Sequence, residues 1–377
     1  RVEMDRSDDR FPKKIRNASK SKAPFILIAA TTGGLYAMAP TIERIVYADI
    51  LTVTPTGQAL PLAEQVAAAQ QAFPALTVTG MRPPAAADAS TRVEFADPAL
   101  DPELLRSVFV DPYTGRVLGD EATWLGYLPV STWLDGFHRH LQLGEPGRVY
   151  SELAASWLWV VALGGLALWL TKTAAQRRRG RPGRILRVDR STTGRARTMN
   201  WHGATGVWLL AGLLFLSATG ITWSQLAGGN VNSVVEKMNW KATPVETALT
   251  TDSSAEAAHD AHAGHEGHGA HGAHGGDAET AGEAPEPEVI AEQAERVYAT
   301  GRAEGLTGPL RLYAPEDTDS GWKVSERWVE WRYTSDEVSV NGSTGEVIDR
   351  LPFSGLPLFS KLSSWGIYLH MGIMFGL

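Results

Sequence analysis

Two long uncharged stretches dominate the hydropathy of the chain. Leu153 to Thr171 runs for 19 residues and Gly203 to Trp223 for 21 without a charge, each long enough to cross a hydrocarbon core of roughly 30 Å. Both are predicted to be membrane helices, filling 151–171 and 199–224. Ala23 to Ala39 is apolar for 17 residues, at the lower limit for a span, and predicts a shortened first helix over 23–47. Outside these stretches the apolar period changes. Leu62, Val66 and Ala69 share one helical face, predicting a helix within Leu60 to Phe73, and strands follow at Arg92 to Phe95 and Val108 to Val110. A second group has the same form: a helix over Pro287 to Gly301, with Ile290, Ala294 and Val297 on one face, then strands at Leu310 to Tyr313, Trp322 to Val324, Val329 to Tyr333 and Val338 to Val340. Each group reads as a small α/β unit.

Charge orients this plan. The loop between the two long helices, 172–198, carries ten Lys or Arg against the single Asp189, so by the positive-inside rule it is cytoplasmic and the two α/β units lie outside. Trp157, Trp159, Trp169, Trp201, Trp208 and Trp223 crowd the helices, as interfacial anchors do. The net charge of −7 sums a basic inner side and an acidic outer side, and no face resembles a nucleic-acid surface. There is no Cys, which excludes disulfides, iron–sulfur clusters and covalently attached haem. Residues 1–22 are polar, with eight Lys or Arg against four acids, and read as a cytoplasmic segment. Asp252 to Glu288 is rich in Ala, Gly, His and Glu, a composition that cannot bury a core, so 225–288 reads as a linker.

The two halves repeat one another. Val110-Asp111-Pro112-Tyr113-Thr114-Gly115 aligns with Val340-Asn341-Gly342-Ser343-Thr344-Gly345, a turn signal in both cases. His140 and His370 each follow those glycines by 25 residues, and Thr32-Gly33-Gly34 aligns with Thr219-Gly220-Ile221. Ala23-Pro24-Phe25-Ile26-Leu27, Val110-Asp111-Pro112-Tyr113-Thr114-Gly115, His138-Arg139-His140-Leu141-Gln142-Leu143-Gly144, Ser151-Glu152-Leu153-Ala154-Ala155-Ser156-Trp157-Leu158-Trp159, Trp201-His202-Gly203-Ala204-Thr205-Gly206 and His370-Met371-Gly372 together resemble the PepSY-associated transmembrane-helix family of bacteria. The resemblance implies a membrane α-helical bundle with two extracytoplasmic PepSY-like α+β domains, internally duplicated, at 48–150 and 289–364. It implies a bacterial plasma-membrane location and a fourth helix, of which 365–377 is the entrance. Several family members are implicated in iron uptake as haem-containing ferric-siderophore reductases.

A b-type haem between helices needs two facing imidazoles. Symmetry pairs His140 with His370 at an outer haem. It pairs His202 with position 15 at an inner one, where this chain has Ile15. His138 competes with His140, since residues two apart on a helix point to opposite sides. Ordinary interfacial histidines are the plain alternative for all four. With Ile15 in place of a ligand and a fourth helix only begun, the chain as written is expected to hold less than a full complement of haem. His259, His262, His265, His268, His271 and His274 recur every third residue, a pattern able to take a divalent transition metal or to serve as a neutral spacer. Arg148 and Glu152, four apart, are expected to form a surface ion pair. The functional expectation is haem-dependent electron transfer from an unknown donor across the lipid bilayer, reducing ferric iron or a ferric-siderophore outside. The alternative is a non-catalytic, membrane-anchored PepSY module that binds metal or restrains a protease or membrane partner.

Overall fold

The computed structural model describes residues 31–180, 183–249 and 285–375. They divide into two compact units, one centred on Asp135–Val234 and the other formed by Leu35–Leu134 and Val235–Leu377. In chain order the helices are α1 (31–46), α2 (Ala48–Leu51), α3 (Leu62–Ala72), α4 (Pro129–His140), α5 (Glu145–Arg178), α6 (Gly194–Thr222), α7 (Gln225–Lys237), α8 (Pro287–Ala303) and α9 (Leu358–His370).

The larger unit holds eight strands: β1 (Thr77–Arg82), β2 (Thr91–Ala96), β3 (Leu104–Val110), β4 (Val117–Trp124), β5 (Leu310–Tyr313), β6 (Trp322–Glu326), β7 (Glu337–Val340) and β8 (Val347–Leu351). Their spatial order is β4-β3-β2-β1-β5-β6-β7-β8, antiparallel throughout. Where the pattern predicts two separate outer units, the structure joins them edge to edge in one sheet. Alternation sends Val93, Phe95, Val108, Val110, Leu310, Leu312, Trp322 and Val324 to one face, where α3 and α8 bury them in a single core. Full burial of each such side chain contributes roughly 1.5–3 kcal/mol.

Both groups close their third and fourth strands with the same turn. Gly115 (φ 70°) and Gly345 (φ 79°) occupy the left-handed region that glycine enters without steric cost. The Gly115 N–H donates to Asp111 O at 2.9 Å and the Gly345 N–H to Asn341 O at 2.8 Å. The side-chain oxygens of Asp111 and Asn341 accept the N–H groups of Tyr113 and Ser343.

The seam between the groups is short. Only Gly80 with Tyr313 and Met81 with Leu312 pair in register, extended by the Ala314 N–H to Thr79 O at 3.0 Å. A Cβ on Gly80 would lie 2.7 Å from Leu312 O, so this approach requires glycine. On the face away from α3 and α8, the Glu94 carboxylate accepts Arg82 Nε at 2.9 Å and Arg311 Nη2 at 2.7 Å, with all three side chains no more than 7% exposed. Arg82 lies on β1 and Arg311 on β5, so the triad straddles the seam. Burial pushes the Glu94 carboxyl up, but Arg311, Arg82 and Arg92 outweigh it and hold the group down to about 2. Burial, with the like charge of Arg82, pushes Arg92 down to about 9 against the pull of Glu94. On the helix side, the Gln70 Nε2 donates to Pro287 O at 2.7 Å and Leu62 N–H to the Glu295 carboxylate.

Val329 to Tyr333 is not a strand. Trp331 sits at φ 62° and donates its N–H to Met374 O at 3.0 Å, which turns the segment out of the ladder. Ahead of the expected entrance at 365, α9 already begins at Leu358; it ends at His370, and after Gly372 (φ 78°) a 3-10 turn covers Ile373–Phe375.

The other unit is built on α5 and α6. Among the described residues these two helices are long and apolar enough to cross a membrane. α5 extends beyond its predicted span at both ends and α6 at its start, because the flanking polar residues continue the helical hydrogen bonding, whereas α6 ends at Thr222, two residues short of its predicted end. Ser217 Oγ donates to Ala155 O at 2.8 Å, and Gly203 lies under the Trp169 ring, where a Cβ would meet ring carbons at 2.4 Å. Small residues at helix crossings serve this purpose in bilayers. Glu152 does not pair with Arg148. Its carboxylate accepts the N–H groups of Gln225 (2.7 Å) and Leu226 (3.2 Å) at the start of α7, while Arg148 pairs with Glu145; a helix N-terminus offers a carboxylate unsatisfied donors.

Candidate functional site

His138 and His140 do not lie on a membrane-spanning helix. They end α4, a short helix of its own, and the chain then turns sharply into α5. Leu141 (φ 53°) and Gln142 (φ 54°) are both left-handed, followed by Gly144 (φ 62°). Consecutive non-glycine residues there are costly and need support from their surroundings. The support is visible: the Leu141 N–H donates to Phe137 O at 3.2 Å and the Leu143 N–H to His140 O at 2.9 Å. Gly136 and Gly147 line the inside of the corner. A Cβ on Gly136 would fall 3.1 Å from His140 Cε1, and one on Gly147 would fall 1.9 Å from His140 O.

His138 turns toward α1. Its Nδ1 lies 3.1 Å from Thr32 Oγ1, and a Cβ on Gly33 would meet His138 Cε1 at 3.3 Å. The Thr32-Gly33 pair is therefore what lets an imidazole lie against the helix with one nitrogen held by a hydroxyl. Such a hold fixes ring orientation. The half-buried Asp135–Arg139 neighbourhood adds a fixed ion pair, Arg139 Nε to Asp135 Oδ2 at 2.6 Å.

His202 projects from α6 and is exposed, beside Gly203 at the contact with Trp169. His370 is the last residue of α9 in the larger unit. There Trp328 stacks on Tyr368 with centroids 4.3 Å apart and meets Phe353 edge-on at 5.8 Å. The tract His259 to His274 lies outside the described residues.

The arrangement offers imidazoles as ligands, and among the described residues no nucleophile–base pair is assembled beside them. Sequence reasoning did not anticipate the Thr32 hydroxyl or the left-handed corner after His140. The glycines Gly33, Gly136 and Gly147, each close to a histidine, were the available signal. Among known proteins, short likenesses occur to the threonine–tRNA ligases of Bifidobacterium animalis subsp. lactis (79% identical over 29 residues) and Bifidobacterium longum (82% over 28). That of Cutibacterium acnes is 79% identical over 29 residues. These matches cover 7–8% of this chain, and the chain spans 4% of those enzymes' length, too little to bear on its activity. The model of the PepSY-associated TM region matches residues 21–377, and the chain belongs to that family of membrane proteins.

Proposed function

We propose that this protein is a multi-pass carrier of electrons across the bacterial plasma membrane. It uses non-covalently held haem b and reduces ferric iron, free or siderophore-bound, on the outer side. In this reading the two strand groups are duplicated extracytoplasmic PepSY domains, and the basic connection between α5 and α6 is cytoplasmic. The ligand candidates are His138, His140 and His202 of one unit and His370 of the other. The observation that carries the reading is the hold on His138, whose Nδ1 lies 3.1 Å from Thr32 Oγ1, since an imidazole oriented by a hydroxyl is a donor whose chemistry would suit haem iron. Thr32 orients the ring, Gly33 gives it room, and the corner at Leu141 and Gln142 fixes the direction of His140. Haem, when bound, would supply a one-electron relay, by which one electron from a cytoplasmic one-electron reductant would convert one Fe(III) to Fe(II) at the outer face and leave that reductant oxidised by one electron.

The test is an absorption spectrum of the detergent-purified chain, oxidised and then reduced with dithionite. A Soret band that shifts on reduction is expected, with loss of intensity in His138→Ala and lesser or complementary losses in His140→Ala, His202→Ala and His370→Ala. A chain reconstituted with haem that shows no specific band would refute the proposal in favour of a non-catalytic PepSY module. A band unaffected by all four substitutions would refute the ligand assignment.

A further inference from the structure

The connection between α5 and α6 has a built structure that electron transfer does not require. Trp169 Nε1 donates to Ile185 O at 3.0 Å, and Trp208 Nε1 donates to the next carbonyl, Leu186 O, at 3.1 Å. One indole comes from each helix, so the two pin consecutive peptides of the loop between them. Trp208 lies well inside α6, about 20 Å from its first residue by helical rise, so the loop folds back along the helix pair instead of standing off it. The pinned segment reads Gly183-Arg184-Ile185-Leu186-Arg187, with Leu186 52% exposed and Arg184 and Arg187 exposed on either side of the apolar pair.

Charge around the segment is one-sided. The lone acid, Asp189, accepts the Ser191 N–H (3.0 Å) and Ser191 Oγ (2.6 Å). Arg178, Arg179, Arg187, Arg190, Arg195 and Arg197 are exposed and form no ion pair among the described residues. Lys172 Nζ sits 4.7 Å over the Trp169 ring. Indoles favour the headgroup level of a bilayer, and a short apolar tip flanked by cations is the pattern of a segment that dips into the headgroup boundary. Here the apolar tip, its flanking cations and the Trp169 indole lie toward the loop end of α5, and Trp208 reaches the same tip from farther along α6.

We propose that the Arg184 to Arg187 segment is an anionic-phospholipid site. Ile185 and Leu186 enter the headgroup boundary, and Arg184 and Arg187 bind lipid phosphate, with the Trp169 and Trp208 indoles holding the backbone in place. Bidentate geometry suits guanidinium to phosphate, and a negative surface attracts each nearby cation. The occupant is a lipid, since the apolar tip and the indoles have no use for a free ion.

The test uses the full chain in neutral detergent, titrated with short-chain phosphatidylglycerol, phosphatidylcholine or inorganic phosphate and followed by tryptophan fluorescence. Phosphatidylglycerol is expected to bind in preference to phosphatidylcholine, with inorganic phosphate giving no change. In Arg184→Gln/Arg187→Gln the preference should fall about thirty-fold, the equivalent of about 2 kcal/mol at about 1 kcal/mol per cation. Both side chains are exposed, so the fold should persist. Trp208→Phe keeps an aromatic ring but loses the indole N–H that donates to Leu186 O, and should weaken the same preference. Equal binding of the two lipids, an identical response to inorganic phosphate, or an unchanged preference in both variants would overturn the proposal.

Discussion

Replacing Glu94 with Gln removes a carboxylate that bridges β1 and β5 while keeping the side chain's shape. In the native protein Glu94 accepts Arg82 Nε at 2.9 Å and Arg311 Nη2 at 2.7 Å, and its pKa is held at about 2 against an ordinary value of 4.5. A depression of that size is worth about 3 kcal/mol by linkage. The sign follows: a carboxyl with a lowered folded pKa contributes stability above pH 4.5, and that contribution is lost as pH falls toward 2. Truncating one partner of a buried ion pair costs about 3–5 kcal/mol, in line with this figure. The assay is hydrogen exchange with mass spectrometry on the full chain in detergent, because exchange reports local opening without assuming one global transition. Peptides covering β1 and β5 should exchange about two orders of magnitude faster in Glu94→Gln. Their protection should depend on pH between 4.5 and 2 in the native chain and not in the variant. Glu304→Gln, which removes an exposed pair with Arg350, serves as the control and should leave β1 and β5 unchanged. Equal protection in Glu94→Gln and the native chain would refute the account of the seam.

Two further outcomes follow from the same architecture. Gly80→Ala places a methyl 2.7 Å from Leu312 O, and the strain should cost about 1–3 kcal/mol, read as faster exchange of β5 with β3 and β4 little affected. Replacing His259, His262, His265, His268, His271 and His274 with Ala should abolish binding of Ni²⁺ or Zn²⁺ by the chain in calorimetric titration while leaving membrane insertion intact; equal binding by both proteins would remove the tract as a metal site.

The spans and most of the sheet were legible because they rest on simple periodicity. Uncharged runs of 19 and 21 residues leave little choice, and the alternation of Val93, Phe95, Val108 and Val110 against solvent-side residues marks strands directly. Val329 to Tyr333 misled for a physical reason. Its Trp331 faces a tertiary partner instead of a strand neighbour, meeting Phe375 edge-on at 5.5 Å, and Trp328 just ahead of the segment stacks on Tyr368. β1 and β4 were hidden by Gly80 and by the polar run Gly119-Asp120-Glu121, which lower the strand signal. The fusion of the two groups was illegible because it depends on Arg82, Glu94 and Arg311, which read as solvent-facing positions in their own strands and become a buried triad only when the strands meet. Contact between Thr32 and His138 likewise joins residues 106 apart, beyond any local pattern.

The order of synthesis gives the seam a history. β1 is complete roughly 230 residues before β5 emerges, which at a translation rate of about 5–20 residues per second leaves the β1 edge unpaired for about ten to forty-five seconds, while α5 and α6 are still being made. An open strand edge is an invitation to pair with any other chain. β1 counters it with a register break between Val78 and Gly80, so that a regular strand cannot continue the ladder along its whole length. The glycine that admits Leu312 O also makes the waiting edge a poor template for anything else. Selectivity of partner is thus written into β1 before its partner exists.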